Sequence, residues 1–90
     1  MSIKGVDVKT LNRLIYEMRR RGLWAERHSY SIRIMHNGLI VASLHIYPGF
    51  NEAVLRLYGD PETDKYVESV VTSVLTTLLR GYKITVVKIR

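Results

Sequence analysis

Arginine, tyrosine and histidine side chains recur at alternate positions in the middle of the sequence. The candidates for contacting a ligand are Arg27, Arg33, His45, Tyr47, Arg56 and Tyr58. A guanidinium group donates paired hydrogen bonds to a phosphate. Stacking of an aromatic ring on a nucleic-acid base contributes about 1–3 kcal/mol to the binding free energy. Because alternate residues of a strand point to the same side of a sheet, these side chains are expected to share one surface. The chemistry they predict is phosphate binding combined with base stacking.

Signs of an enzyme are limited to the histidines. His28, His36 and His45 lack the spacing of metal ligands, and His28 falls on the apolar face of its predicted strand, where a structural role is expected. His45 could act as a general base beside Arg33 or Arg56, as a ribonuclease requires. The chain has no cysteine, which excludes thiolate metal sites and cysteine nucleophiles, and it contains no phosphate-loop or dinucleotide fingerprint. We predict no catalytic residue, metal or cofactor, and keep a small ribonuclease as the third alternative.

The Asn37-Gly38 pair lies between two alternating apolar and polar runs, which is the strongest local signal for a β-hairpin. A two-residue loop would put Met35 on the same face as Ile40. A three-residue loop with Gly38 in the left-handed conformation puts Ile34 there instead. A slip of one residue turns every side chain over, and only the second register gathers the apolar residues on one face. We therefore predict the three-residue loop.

This register divides three predicted strands, Ala25 to Met35, Leu39 to Tyr47 and Glu52 to Tyr58, into two faces. The apolar face carries Tyr30, Ile32, Ile34, Ile40, Ala42, Leu44, Ile46, Ala53, Leu55 and Leu57. The other face carries Arg27, Ser29, Ser31, Arg33, Met35, Val41, Ser43, His45, Tyr47, Val54, Arg56 and Tyr58. All candidate ligand-binding residues therefore lie together, away from the core.

Two helices and a last strand complete the predicted fold. One helix extends from an N-cap at Asp7 to about Arg21, and a second from Asp60 to Gly81. Lys83 to Arg90 reads as a strand. Both helices must bury an apolar stripe on the one apolar sheet face. The prediction is an α+β two-layer sandwich in the order α-β-β-β-α-β, with a mainly antiparallel sheet, both helices on one face and the other face open.

The composition sets limits on class and location. A chain of 90 residues with 47% hydrophobic content is expected to form one domain, residues 1–90. The N-terminus lacks the apolar run of a signal peptide and no segment is apolar enough to span a bilayer, so we expect a cytoplasmic protein without a membrane partner. Arginine outnumbers lysine, and glutamine and cysteine are absent, which favours a thermophilic source.

A net charge of +6 favours polyanionic partners. The first interpretation is a module that binds single-stranded DNA or RNA on the open face. The alternative is a protein-interaction or assembly subunit, because Val41, Tyr47, Val54 and Tyr58 could form a subunit contact, together with Val87 and Ile89. Simple solubility and an ordinary solvated sheet face are the less specific explanations. Small domains commonly hide apolar patches in oligomers, and we expect at least a homodimer.

Several families share parts of this layout. The order α-β-β-β-α is similar to the double-stranded-RNA-binding domain, but the entry to the second helix, Gly59 to Asp64, is acidic here where that family is rich in glycine and lysine. Gly22-Leu23-Trp24 followed by His28 is similar to toxin ribonucleases of the HicA type, whose Gly-Ser-His element is missing. In its small size, basic charge and helix-backed sheet, the chain resembles the ThermoDBP single-stranded-DNA-binding proteins of hyperthermophilic archaea. That resemblance implies a single strand held in a cleft with apolar and basic walls.

Overall fold

A computed structural model describes residues 6–89 of the chain. Its elements are the helices α1 (Val8–Arg20) and α2 (Pro61–Leu78), the strands β1 (Trp24–His28), β2 (Ser31–His36), β3 (Leu39–Tyr47), β4 (Glu52–Leu57) and β5 (Lys83–Lys88), and a 3-10 turn (Pro48–Phe50) between β3 and β4. Arg90, the predicted end of the last strand, lies outside the described residues.

The five strands form one sheet in the order β1-β2-β3-β4-β5. The first four pair antiparallel and β5 pairs parallel to β4. Helix α1 packs on β1, while α2 packs on β3 and β4 and also on α1. The predicted α+β sandwich with both helices on one face is confirmed, with one strand more than expected. Within residues 6–89, no helix is long and apolar enough to cross a membrane.

Side-chain caps fix the starts of both helices. The Asp7 carboxylate accepts a hydrogen bond from the Thr10 backbone N–H at 2.8 Å, and the Asp60 carboxylate accepts one from Thr63 N–H at 2.7 Å. These bonds favour the charged form and hold the pKa of each carboxyl below its ordinary value. The predicted caps are therefore confirmed, although α2 ends at Leu78, before the predicted Gly81.

Asp64, in the first turn of α2, is the one buried charged residue among those described, with 2% of its surface exposed. Its Oδ1 accepts a hydrogen bond from the Gly59 backbone N–H at 2.9 Å. A Cβ on Gly59 would lie 3.2 Å from that oxygen. The absence of a side chain at Gly59 therefore lets the chain turn closely into the helix.

The predicted first strand, Ala25 to Met35, is wrong because the chain turns back in its middle. Ser29 adopts a left-handed φ of 59°, and His28 pairs with Ser31 across this turn. The turn reverses the alternation. Arg27 lies opposite Ile32 on the helix-covered side, and Ser29 lies in the turn, so neither belongs to the open face.

The same turn moves His28, which was assigned to the apolar face. His28 is exposed, on the side of the sheet opposite the helices. The structural role predicted for His28 in the core is therefore wrong. Tyr30 stays on the helix side, where its backbone oxygen accepts a hydrogen bond from Ile46 N–H and its hydroxyl donates to the backbone oxygen of Val6 at 3.3 Å.

The hairpin between β2 and β3 has the predicted pairing of apolar residues, but its loop differs from the predicted one. His36 pairs with Leu39, while Asn37 and Gly38 have φ values of 53° and 77°, so the loop has two residues and the predicted three-residue loop is wrong. The register then shifts, because Met35 pairs with Ile40 but Ile34 pairs with Ala42. The residue left over by this bulge is Val41.

The bulge exchanges the expected positions of two neighbours. Val41 is 5% exposed, and Ile40 is 51% exposed. Beyond the bulge, the predicted pairing of Ile34 with Ala42 and of Ile32 with Leu44 is confirmed. The core then forms between this face and the helix stripes.

Candidate functional site

The side of the sheet opposite the helices is called the open face. It carries Trp24, Glu26, His28, Ser31, Arg33, Met35, Ile40, Ser43, His45, Tyr47, Glu52, Val54, Arg56, Tyr58, Lys83, Thr85, Val87 and Ile89. All of the predicted site residues except Arg27 lie on it. Arg27 is on the helix side, where its guanidinium donates to the Ser29 backbone oxygen at 3.1 Å.

Arg33, Ser43 and Arg56 form a row across the centre of the open face. Arg33 on β2 is opposite Ser43 on β3, and Ser43 is opposite Arg56 on β4. The Ser43 hydroxyl is 2.8 Å from the Tyr58 hydroxyl. The row thus brings two guanidinium groups and two hydroxyl groups to one part of the sheet.

The two arginines differ in their charged neighbours. Arg33 is paired with Glu26 on β1, with 2.9 Å between guanidinium nitrogen and carboxylate oxygen. Arg56 is flanked by Ser43 and by Val87 on β5, and no ion pair involves it within the described residues. Its charge is available to an anion, whereas that of Arg33 is already partly neutralised.

Glu26 is held in its charged form by two donors. The Trp24 indole N–H donates to its carboxylate at 3.1 Å, and Arg33 donates at 2.9 Å. These hydrogen bonds, with that of Trp24 the larger cause, keep the pKa of Glu26 below its ordinary value. Glu26 is therefore an anion that competes with any phosphate for Arg33.

His45 lies in the next row, between Ser31 on β2 and Val54 on β4. The Ser31 hydroxyl is 2.7 Å from its Nε2. Its ring stacks on that of Tyr47, with centroids 5.6 Å apart and planes inclined by 21°. Among residues 6–89, no group of His, Asp or Glu side chains could hold a metal ion. His45 is thus built into a stacked aromatic pair, and its role as a general base stays a prediction.

Trp24 is one of the open-face residues that the sequence did not predict. It begins β1, is 50% exposed, and the Arg19 guanidinium carbon lies 3.9 Å from its ring centroid. The predicted register, continued back from Arg27, would have turned Trp24 toward the core, and only the unrecognised turn at Ser29 reverses that orientation. Lys83 was missed for a different reason, because the position of β5 in the sheet could not be predicted.

Charge on the open face is mixed. Glu26 lies opposite Arg33, and Glu52 lies opposite Lys83. A second concentration of positive charge lies on α1, where Lys9, Arg13, Arg19 and Arg20 occur with Arg21 at the helix end. There, Glu17 forms ion pairs of 2.9–3.7 Å with Arg13, Arg20 and Arg21. Helix α1 is therefore the alternative surface for a polyanion.

One end of the open face is apolar. Trp24 is opposite Met35, which is opposite Ile40, and Tyr58 and Ile89 extend the same end across β4 and β5. Apart from Met35, these side chains are exposed. Such a band is suited to stacking or to contact with another protein.

No family model matches this chain, and neither the curated proteins nor the solved structures contain a significant match to it.

Proposed function

We propose that the open face binds single-stranded nucleic acid, DNA or RNA. Arg56 makes the principal phosphate contact and Arg33 a second one, while the rings of Tyr47, Tyr58 and His45 contact bases. The observation that carries this proposal is the position of Arg56, which lies on an uncovered sheet face beside the Ser43 and Tyr58 hydroxyls without a carboxylate as cross-strand neighbour.

The spacing of the two arginines suits a nucleic-acid backbone. Arg33 and Arg56 lie on strands separated by β3, so their Cα atoms are about 10 Å apart from the spacing of paired strands. Long guanidinium side chains can converge from that distance on one phosphate above Ser43, or contact two successive phosphates. Planar donors also give paired hydrogen bonds to phosphate oxygens.

The aromatic residues favour a single strand over a duplex. Tyr47 and His45 already form a stacked pair, on which a base can continue the stack. Bases in a duplex are stacked on each other and present only their edges, whereas those of a single strand are free to lie on protein rings. The resemblance to the ThermoDBP proteins implies the same class of ligand, a single strand, although in a cleft and not on an open face. The thermophilic source is a proposal that rests on composition, the archaeal source one that rests on the resemblance, and the cytoplasmic location one that rests on the lack of a signal-peptide pattern.

The test is a fluorescence-anisotropy titration with labelled single-stranded DNA, single-stranded RNA and duplex at about 50 and 200 mM salt. We expect tighter binding of single strands than of duplex of equal length. Tyr47→Ala and Tyr58→Ala should each weaken binding by about 1–3 kcal/mol and leave the salt dependence nearly unchanged. Tyr16→Ala, on the exposed side of α1, is the matched control. Equal affinity for duplex and single strand, with no effect of either tyrosine, would refute the proposal.

The second candidate is a protein-interaction surface, favoured by the exposed apolar end of the open face. It predicts a different result in the same titration. Binding to every polyanion would be weak and lost at higher salt. Trp24→Ala or Ile40→Ala would change the mass of an assembly without changing nucleic-acid affinity.

A further inference from the structure

The two edges of the sheet differ in their protection against pairing with another strand. The edge strand β1 is 5 residues long and has charged side chains at Glu26 and Arg27. The Arg19 side chain from α1 donates to the Ala25 backbone oxygen at 3.0 Å. A short strand, charges and an occupied carbonyl are features that discourage edge-to-edge pairing.

Strand β5 exposes unpaired backbone groups along its outer side. The Lys83 N–H donates to Asn51 and the Ile89 N–H donates to Leu57, at 2.9 and 2.8 Å. Because backbone groups alternate along a strand, the odd-numbered residues bond to β4. The N–H and C=O groups of the even-numbered residues therefore point away from the sheet. Within residues 6–89, no strand pairs with that side of β5.

The side chains of β5 provide little protection. Ile84 and Val86 are only partly buried on the helix side, and Val87 is 37% exposed on the open face. The pairing with β4 contains no bulge, and the strand contains no proline. Its charges, Lys83 and Lys88, lie only at its two ends. A regular, apolar and unpaired edge is a template for another strand.

We propose that a second copy of this chain pairs antiparallel with β5, with the two-fold axis perpendicular to the sheet at Val86. This inference concerns the edge of the sheet and does not depend on nucleic-acid binding. The pairing joins two five-stranded sheets into one continuous sheet. Both open faces then lie on the same side of the joined sheet, and Lys83 and Thr85 of each copy lie on its two central strands.

The register follows from the faces of the strand. A two-fold axis perpendicular to the sheet places the open faces of both copies on the same side. Because the odd-numbered residues of β5 lie on the open face, each must be opposite an odd-numbered residue of the partner subunit. Centring on Val86 places it opposite Val86 of the partner subunit, and Ile84 opposite the partner's Lys88. This register uses the whole of β5 and gives partners to all the outward N–H and C=O groups of Ile84, Val86 and Lys88.

The positions of the lysines are compatible with pairing between two copies of β5. Lys83 lies opposite the partner's Ile89, and no lysine faces a lysine, which would be destabilising. The aliphatic part of the Lys88 side chain can also cover the partly exposed Ile84 of the partner subunit while its ammonium group stays in water. The edge is thus complementary to itself.

Cysteine cross-linking tests the register, because the chain has no cysteine of its own. Val86→Cys places two thiols opposite each other in a hydrogen-bonded pair, where the Cα atoms are about 5.5 Å apart, within the range for a disulfide. Thr85→Cys, the matched control, lies opposite the partner's Val87. We expect Val86→Cys to form a covalent dimer under mild oxidation several-fold faster than Thr85→Cys. Faster cross-linking of Thr85→Cys, or equally slow reaction of both, would overturn the proposed register.

Sedimentation tests the dimer itself. The unmodified chain should sediment at about twice its mass of 10.4 kDa. Val86→Lys puts like charges opposite each other at the axis and should shift the mass to that of the monomer, with circular dichroism unchanged. His28→Lys adds the same charge to the β1 edge and should leave the dimer intact. A monomer for the unmodified chain, or loss of the dimer only with His28→Lys, would overturn the proposal. If Val86→Lys fails to fold, the unmodified mass and the cysteine pair decide the question.

Discussion

Arg33 and Arg56 lie on either side of Ser43, yet their surroundings give them different capacities to bind an anion. The Glu26 carboxylate lies 2.9 Å from the Arg33 guanidinium and must be displaced or shared when a phosphate arrives. Arg56 has no such competitor among its cross-strand neighbours. Arg56→Ala should therefore cost more affinity than Arg33→Ala, even though the two residues look equivalent in the sequence.

Removing the charge of Glu26 should strengthen binding. Glu26→Gln keeps an acceptor for the Trp24 indole N–H, but it releases Arg33 from its ion pair and removes a negative charge next to the proposed phosphate contact. Because an exposed ion pair is weak and screened by salt, the gain should be modest, and we expect the affinity for single strands to rise by roughly two- to fivefold in an anisotropy titration. Glu62→Gln, exposed at the start of α2, makes the same change in net charge. An equal rise for both variants would indicate bulk charge and count against a phosphate site at Arg33.

At the scale of single elements, the β2–β3 hairpin combines a left-handed turn with a bulge. Gly38→Ala should lower the free energy of unfolding by roughly 1 kcal/mol, because a Cβ is disfavoured at its φ of 77°. The matched control is Gly49→Ala in the 3-10 turn, where a Cβ meets no atom within 4 Å and φ is not left-handed. Thermal and urea unfolding measure both. Equal losses in the free energy of unfolding would show that the left-handed conformation at residue 38 does not need a glycine.

The limits of sequence interpretation are visible in the same hairpins. Alternation correctly predicted that Ile32 and Ile34 are buried, because a half-covered sheet imposes that pattern. It could not reveal the turn at Ser29, since a serine in the left-handed conformation leaves no glycine or asparagine signal. It also could not reveal the bulge at Val41, where two successive apolar residues fit either side of the sheet equally well.

The positions of the candidate site residues on the sheet were predicted to a similar extent. Arg33, His45, Tyr47, Arg56 and Tyr58 were assigned to the open face by alternation, and they lie there. The misplacement of Arg27 follows directly from the unrecognised turn at Ser29. The competing role of Glu26 also depends on that turn, because only the extra strand β1 brings Glu26 opposite Arg33.

At the scale of the whole molecule, two helices cover most of one face of a five-stranded sheet and leave β5 partly exposed. The opposite face and the β5 edge remain exposed, and they meet at Lys83, Thr85 and Val87. Pairing of two copies through β5 would join their open faces into one longer surface. Nucleic-acid binding and assembly would then use adjacent parts of the same sheet.

The basic helix α1 lies on the opposite side of the sheet from the open face, so single arginine substitutions can show which side binds nucleic acid. Arg56 and Arg27 provide the most direct comparison, because they are arginines of the same sheet on opposite faces. Their substitution by alanine changes the net charge equally. The measurement is the affinity of Arg56→Ala and Arg27→Ala for a labelled single strand as a function of salt, with folding checked by circular dichroism.

The open-face account predicts that Arg56→Ala weakens binding and reduces the slope of log affinity against log salt by about 0.7, the value for one lost phosphate contact on a single strand. Arg27→Ala should leave both the affinity and the slope nearly unchanged. Equal losses for the two variants, or a loss with Arg13→Ala on α1 in place of Arg56→Ala, would contradict the account.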